Sequence, residues 1–143
     1  MRYLIDTNIF IYLGLDEYDE LDKDVINALV DCENLIYISS ESIREIGLLV
    51  KEGRIGVKKW RNYDDVKASL DEHRIEIRCI NESHLKTFYK LRHAPNHNDP
   101  ADLMIISQAI TENIPLISSD TKFPLYISQG LSFIQNHRRN RRR

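Results

Sequence analysis

The sequence predicts one α/β domain, a central, mainly parallel sheet flanked by helices in three layers. Three observations carry this. Short apolar runs alternate with stretches of helical spacing, the order expected of β-α-β units. The 143 residues, 42% of them apolar, suffice for a single core without disulfides or structural zinc. Finally, Asp6 and Asp120 each follow an apolar strand, and ligands of open α/β sheets gather at strand carboxyl ends. There is no internal repeat and no Gly/Ser linker.

The first strand spans residues 3–6, where Tyr3-Leu4-Ile5-Asp6 precedes Thr7-Asn8. A helix is expected to begin near Asn8, and another over residues 22–32 through Val25, Ile26, Leu29 and Val30. Residues 35–39 form the second strand. Residues 40–51 follow as a helix whose apolar positions Ile43, Ile46, Leu49 and Val50 recur at three- and four-residue steps. Gly53 ends it, and a helical pair follows through Trp60, Val66 and Leu70. Residues 75–80 alternate as a strand, 82–91 return to helix, and 93–98 form a loop by composition. Asp99-Pro100-Ala101-Asp102 opens a helix running to about residue 112. Residues 115–120 and 131–134 supply the last strands.

Composition narrows the function classes. Cys32 and Cys79 have no metal-ligand spacing and read as buried reduced thiols. The N-terminus meets an acid too early for a signal peptide, and no apolar run approaches membrane-spanning length, so a cytoplasmic protein without membrane contact is expected. The net charge of −2 hides an uneven distribution. Residues 137–143 carry five arginines and no acid, which leaves 15 basic against 22 acidic residues elsewhere. The division expected is a domain over residues 1–136 and a disordered basic tail over 137–143. Arg138, Arg139, Arg141, Arg142 and Arg143 suit phosphates, captured with release of counterions.

Five acids carry the chemistry: Asp6, Glu45, Asp99, Asp102 and Asp120. Acids brought to one sheet edge repel unless protons or cations compensate them. An oxygen-rich, sulfur-free set suits Mg²⁺ or Mn²⁺. Each acid also has an ordinary explanation. Asp99 before proline is good capping chemistry, so it reads as a cap or support rather than a direct ligand. Asp102 shares the helix side of Ile106 and Ala109, which a cap does not require and a ligand at the core edge does. Glu45 could pair with Ser42 in a cap, although Ser39, Ser40 and Glu41 offer earlier starts. Asp120 could be a turn residue, and Asp6 a helix cap.

Taken together, Leu4-Ile5-Asp6-Thr7-Asn8-Ile9-Phe10, the helix with Glu45, Asp99-Pro100-Ala101-Asp102 with its helix, and Leu116-Ile117-Ser118-Ser119-Asp120 resemble the ordered motifs of PIN-domain ribonucleases. Within that family the chain is most similar to VapC-type toxins of toxin–antitoxin pairs, over nearly its whole length except the arginine tail. The resemblance implies a PIN-like nuclease domain with Asp6, Glu45, Asp102 and Asp120 as the acidic quartet. It makes Asp99 an accessory acid, and Thr7 and Ser118 small hydroxyl residues beside the site. It also implies Mg²⁺- or Mn²⁺-dependent RNA hydrolysis leaving a 5′-phosphate and a 3′-hydroxyl, an antitoxin partner and a homodimer.

A non-toxin RNA-processing nuclease and an inactive RNA-binding module are the alternatives. A haloacid dehalogenase-like phosphatase is disfavoured, because Asn8 stands where its second aspartate is expected. Lys58, Lys59 and Arg61 around Trp60 suit either single-stranded RNA or an amphipathic helix with Trp60 packed inward. His93 and His97 are four apart, but Pro95 between them argues for loop solvation or phosphate contact rather than zinc.

Overall fold

In the computed structural model, which describes residues 1–54 and 59–138, five strands form one sheet. They are β1 (Arg2–Ile5), β2 (Leu35–Ser39), β3 (Ile75–Arg78), β4 (Leu116–Ser118) and β5 (Phe133–Gln135). The order is β3-β2-β1-β4-β5, and every neighbouring pair is parallel. Connections are made by α1 (Thr7–Gly14), α2 (Lys23–Val30), α3 (Ser40–Lys51), α4 (Tyr63–Glu72), α5 (Glu82–Lys90) and α6 (Pro100–Glu112). Short 3-10 segments, Tyr18–Glu20 and Phe123–Gln129, complete the links.

A parallel sheet covered on both faces must send alternate residues into two cores. Ile5, Ile36, Ile38 and Ile117 enter one, with Ile9 and Phe10 of α1, Val25 and Leu29 of α2, and Val66 and Leu70 of α4. Leu4, Tyr37 and Leu116 enter the other, with Leu103, Ile105, Ile106 and Ala109 of α6 and Tyr126. Leu70 is fully buried, which stabilises the fold by about 1.5–3 kcal/mol. Such burial, rather than intrinsic propensity, holds a helix of ten residues.

Expectation and structure differ in two respects, and one open reading is decided. Where a helical pair was expected, the described residues hold one helix, α4, capped by Asn62 accepting from the Asp65 amide at 2.9 Å. Trp60 precedes it, fully buried and stacked on Phe10 with ring centroids 5.1 Å apart. Of the two readings of Trp60, inward packing therefore holds, and the ring is not available to stack on RNA. Cys32 and Cys79 are exposed, not buried. The cause is element length: α2 ends at Val30 and β3 at Arg78, so both thiols fall in the turns beyond.

Candidate active site

Parallel strands place all their carboxyl ends at one edge, and the order of this sheet reverses its direction of growth at β1. β2 and β3 add on one side of β1, while β4 and β5 add on the other. The crevice at such a switch point, here between β1 and β4, is where an open α/β sheet receives ligands. Asp6 directly follows β1 and Ser118 ends β4. The Ser118 hydroxyl donates to Asp6 Oδ2 at 2.7 Å, and the Thr7 amide donates to Asp6 Oδ1 at 2.8 Å. Asp6 is thus both the cap of α1 and a site residue.

Asp120 is held by the same serine, its amide donating to Ser118 Oγ at 3.0 Å. Its own Oδ1 accepts from the Lys122 amide at 2.8 Å, so the turn role and the site role coexist. Asn136, fully buried after β5, donates to Ser119 Oγ at 2.8 Å and braces this loop. On α3, Ser39 supplies the cap by accepting from the Glu41 amide. Glu45 therefore lies beyond the first turn and is not spent on capping. The Thr7 hydroxyl is 2.6 Å from Glu45 Oε1 and 2.8 Å from the Ser42 hydroxyl.

Asp99 caps α6, its Oδ1 accepting from the amides of Ala101 at 2.9 Å and Asp102 at 3.4 Å. Its side chain is committed to the helix end and the residue is exposed. Asp102, one turn in, is half-buried and turned toward the edge. Its carboxylate, a ring nitrogen of His97 and a carboxylate oxygen of Asp120 all lie within 4.8 Å of one another.

The electrostatics follow from this convergence. Burial pushes the Asp6 carboxyl up to about 7, opposed by the Ser118 hydrogen bond and reinforced by the charges of Asp102 and Glu45. Burial also lifts Asp102 to about 7, with Asp99, Asp120 and Glu45 adding repulsion and Lys122 relieving it. Glu45 is raised by burial, while the Thr7 bond draws it back and Asp99 adds to the rise. Acids in this state lack positive charge, and their donor set is all oxygen apart from one imidazole. That chemistry fits a hard divalent cation, with Asp6, Glu45, Asp102 and Asp120 as the residues able to hold it.

His97 is the residue that sequence reasoning passed over. It is neither solvated nor free for phosphate: it is 3% exposed, with Nδ1 2.7 Å from the Tyr126 hydroxyl and Nε2 3.2 Å from Asp102 Oδ2. A loop has no periodic face, so the one available signal was its place five residues before Asp102. Lys122 and Arg44 were also missed. Lys122 Nζ donates to the Asn96 carbonyl at 2.6 Å with its charge beside Asp102, and Arg44 stands near Glu45 and Asp99.

Of the other basic residues proposed from the sequence, the described ones, Lys59, Arg61 and Arg138, are not brought into the acidic cluster. Arg61 lines a groove of about 400 Å³ with Ile43, Gly47 and Val50 of α3. At about 100° per residue, that face lies across the helix from Glu45. Lys59 is exposed, 3.9 Å from Asp16. Arg138 lies over the Tyr12 ring and 3.6 Å from Glu20, and His137 bonds Asp22, so the first two tail residues touch the domain. Lys58, Arg139, Arg141, Arg142 and Arg143 lie outside the described residues.

Comparison with known proteins gives the same architecture. The family model "PIN domain" matches residues 3–126. No curated protein matches the chain. Among solved structures, the chain is similar to VapBC2 from Rickettsia felis bound to a DNA fragment from their promoter. That match has 25% identity and a TM-score of 0.71, covering 95% of this chain and 99% of the other. It is also similar to VapBC-1 from nontypeable Haemophilus influenzae, with 25% identity, a TM-score of 0.62 and coverage of 94% and 98%. VapBC-5 from Mycobacterium tuberculosis, a member of the VapBC family of toxin-antitoxin systems, shares the fold at 16% identity and a TM-score of 0.65, over 94% and 98% of the two chains. No helix among the described residues is long and apolar enough to cross a membrane.

Proposed function

The chain belongs to the PIN domain family, and from that premise we propose that it is a metal-dependent endoribonuclease and the toxin of a toxin–antitoxin pair. The observation that carries the reading is the meeting of Asp6 and Asp102, 96 positions apart in the sequence. Buried Asp6 and half-buried Asp102 stand at the sheet's switch point, where the charge of Asp102 adds to the rise of the Asp6 carboxyl.

Asp6 and Asp102 are the direct ligands for Mg²⁺ or Mn²⁺, and Glu45 and Asp120 complete the shell through waters or orient the attacking water. A bound divalent ion supplies a lowered water pKa and neutralises charge on the scissile phosphate. Ser118 and the Thr7 amide hold the two Asp6 oxygens in place. The Thr7 hydroxyl fixes Glu45. Asp99, committed to capping, sets the start of α6 and so the position of Asp102. Hydrolysis leaves a 5′-phosphate and a 3′-hydroxyl.

Substrate RNA is held at the cluster by Lys122 and Arg44, and the tail arginines offer further phosphate contacts. Asn136, which follows β5, bonds Ser119, next to Asp120. The domain proper is residues 1–136, and residues 137–143 act as a basic arm. Lys58, Lys59 and Arg61 offer phosphate contacts away from the reacting bond. An antitoxin partner is supported by the VapBC complexes that share the fold. The protein acts as a homodimer in the cytoplasm.

The test is cleavage of end-labelled RNA by wild type and Asp102→Asn, each with Mn²⁺, Mg²⁺ or chelator. Metal-dependent cutting lost in the variant is expected. Tight RNA binding without cutting, unchanged by variant or chelator, would leave a binding module in place of a nuclease.

A further inference from the structure

We propose that His97 is a positioning residue for Asp102, with Tyr126 fixing the tautomer on which this depends. The inference rests on the reading of Asp102 as a divalent-metal ligand and deepens it.

The Tyr126 hydroxyl is buried and accepts from the Ala94 amide at 2.8 Å. A carboxylate can only accept, so beside an ionised Asp102 the His97 proton sits on Nε2, and the Nδ1 lone pair 2.7 Å from the phenol takes its single proton. With Nδ1 accepting, the ring carries its proton on Nε2, which donates to Asp102 Oδ2 at 3.2 Å. An imidazole nitrogen that bears a proton cannot ligate a metal. His97 therefore belongs behind the carboxylate, although its ring nitrogen lies close enough to Asp102 and Asp120 to resemble a third ligand.

The surroundings hold the ring in this orientation. Its centroid is 5.4 Å from that of Tyr126 at 67°, and the Phe123 ring stands 5.9 Å away on another side. The His97 amide donates to the Ala94 carbonyl at 3.1 Å, closing a turn in which Asn96 adopts φ +62°. A left-handed backbone of this kind is disfavoured for residues other than glycine, and asparagine tolerates it better than most. The Ala94–Tyr126–His97–Asp102 chain thus joins the 3-10 segment after β4 to the start of α6, with the Asp102 carboxylate at its end. Carboxylates and histidines at metal sites are commonly oriented by such outer hydrogen bonds, whose loss weakens metal affinity about 10–100-fold.

The test measures Mn²⁺ affinity by calorimetry on the full chain, with wild type, Asp102→Asn, His97→Leu, His97→Gln and Tyr126→Phe, each checked for folding by circular dichroism. His97→Leu should bind Mn²⁺ about 10–100-fold more weakly. His97→Gln, which keeps an N–H donor, should recover most of the loss, and Tyr126→Phe should weaken binding by releasing the tautomer. Pulsed electron paramagnetic resonance of the Mn²⁺ complex should show no imidazole nitrogen coupling. Nitrogen coupling would make His97 a ligand and overturn the proposal. So would affinity unchanged in His97→Leu, or a folded His97→Gln as weak as His97→Leu. Binding lost in Asp102→Asn but intact in His97→Leu would remove only the role of His97. A wild type that binds no Mn²⁺ would remove the metal site as well.

Discussion

Ser118 and Asp6, 112 positions apart, are joined by a 2.7 Å hydrogen bond across the seam between β4 and β1. The same hydroxyl accepts the Asp120 amide, so one small side chain orients one acid and places the loop of another. Ser118→Ala should cost about 1 kcal/mol in stability. It should also push the Asp6 carboxyl further up, since the Ser118 bond opposes the effect of burial. Mn²⁺ titration and RNA cleavage assays at fixed pH should both show weaker function, and unchanged values in both would show that Asp6 needs no orienting partner.

Asp6 has two separable duties. Asp6→Asn keeps an oxygen able to accept from the Thr7 amide, so the protein should melt near the wild-type temperature while RNA cutting is lost. Asp6→Ala removes the cap as well, and should cost roughly 1 kcal/mol relative to Asp6→Asn. Thermal melts of the two variants together test this, and equal stability would separate Asp6 from the capping role assigned to it.

The metal-free protein should lose stability as pH rises from acid toward neutrality. Asp6 and Asp102 are pushed up to about 7 in the fold, from an ordinary 3.8. Between those values the native state binds more protons than the unfolded chain, so stability falls with rising pH and levels off above about 7. Glu112 acts in the opposite sense, because the Arg78 and His84 bonds outweigh the effect of burial and hold it below 4.5. Its contribution is present above that value and disappears only at lower pH. In chelator the melting temperature should therefore be higher near pH 5 than near pH 8, and Mn²⁺ near pH 8 should recover the difference. Asp102→Asn should flatten both responses, and melting indifferent to pH and metal alike would argue against a compensated acid site.

Gly14, at the end of α1, is required by Trp60. A Cβ there would collide with Trp60 Cζ2, and the indole is fully buried against Phe10. Overpacking a core costs about 1–3 kcal/mol, which outweighs the roughly 1 kcal/mol that alanine gains over glycine in a helix. Gly14→Ala should therefore lower the denaturant midpoint. A midpoint at or above wild type would mean that the indole can move.

The alternation of apolar strands and helical stretches, read along the chain, was enough to determine the parallel α/β class. Helix α3 falls on the residues its periodicity marked, and the acids at strand ends and on helix faces were visible as candidates. These signals are local: a strand pattern or a capping acid needs only its neighbours. Sequence left open which strands are neighbours, and that decided the rest. The order β3-β2-β1-β4-β5 sets β4 beside β1, and so brings Ser118 to Asp6. Packing across the layers turned Trp60 onto Phe10, and the early ends of α2 and β3 left Cys32 and Cys79 exposed. His97 is the clearest case, because a loop residue carries no periodicity. Its burial and its partners were decided only by the fold, which packs Tyr126, from the far side of α6 in sequence, against it.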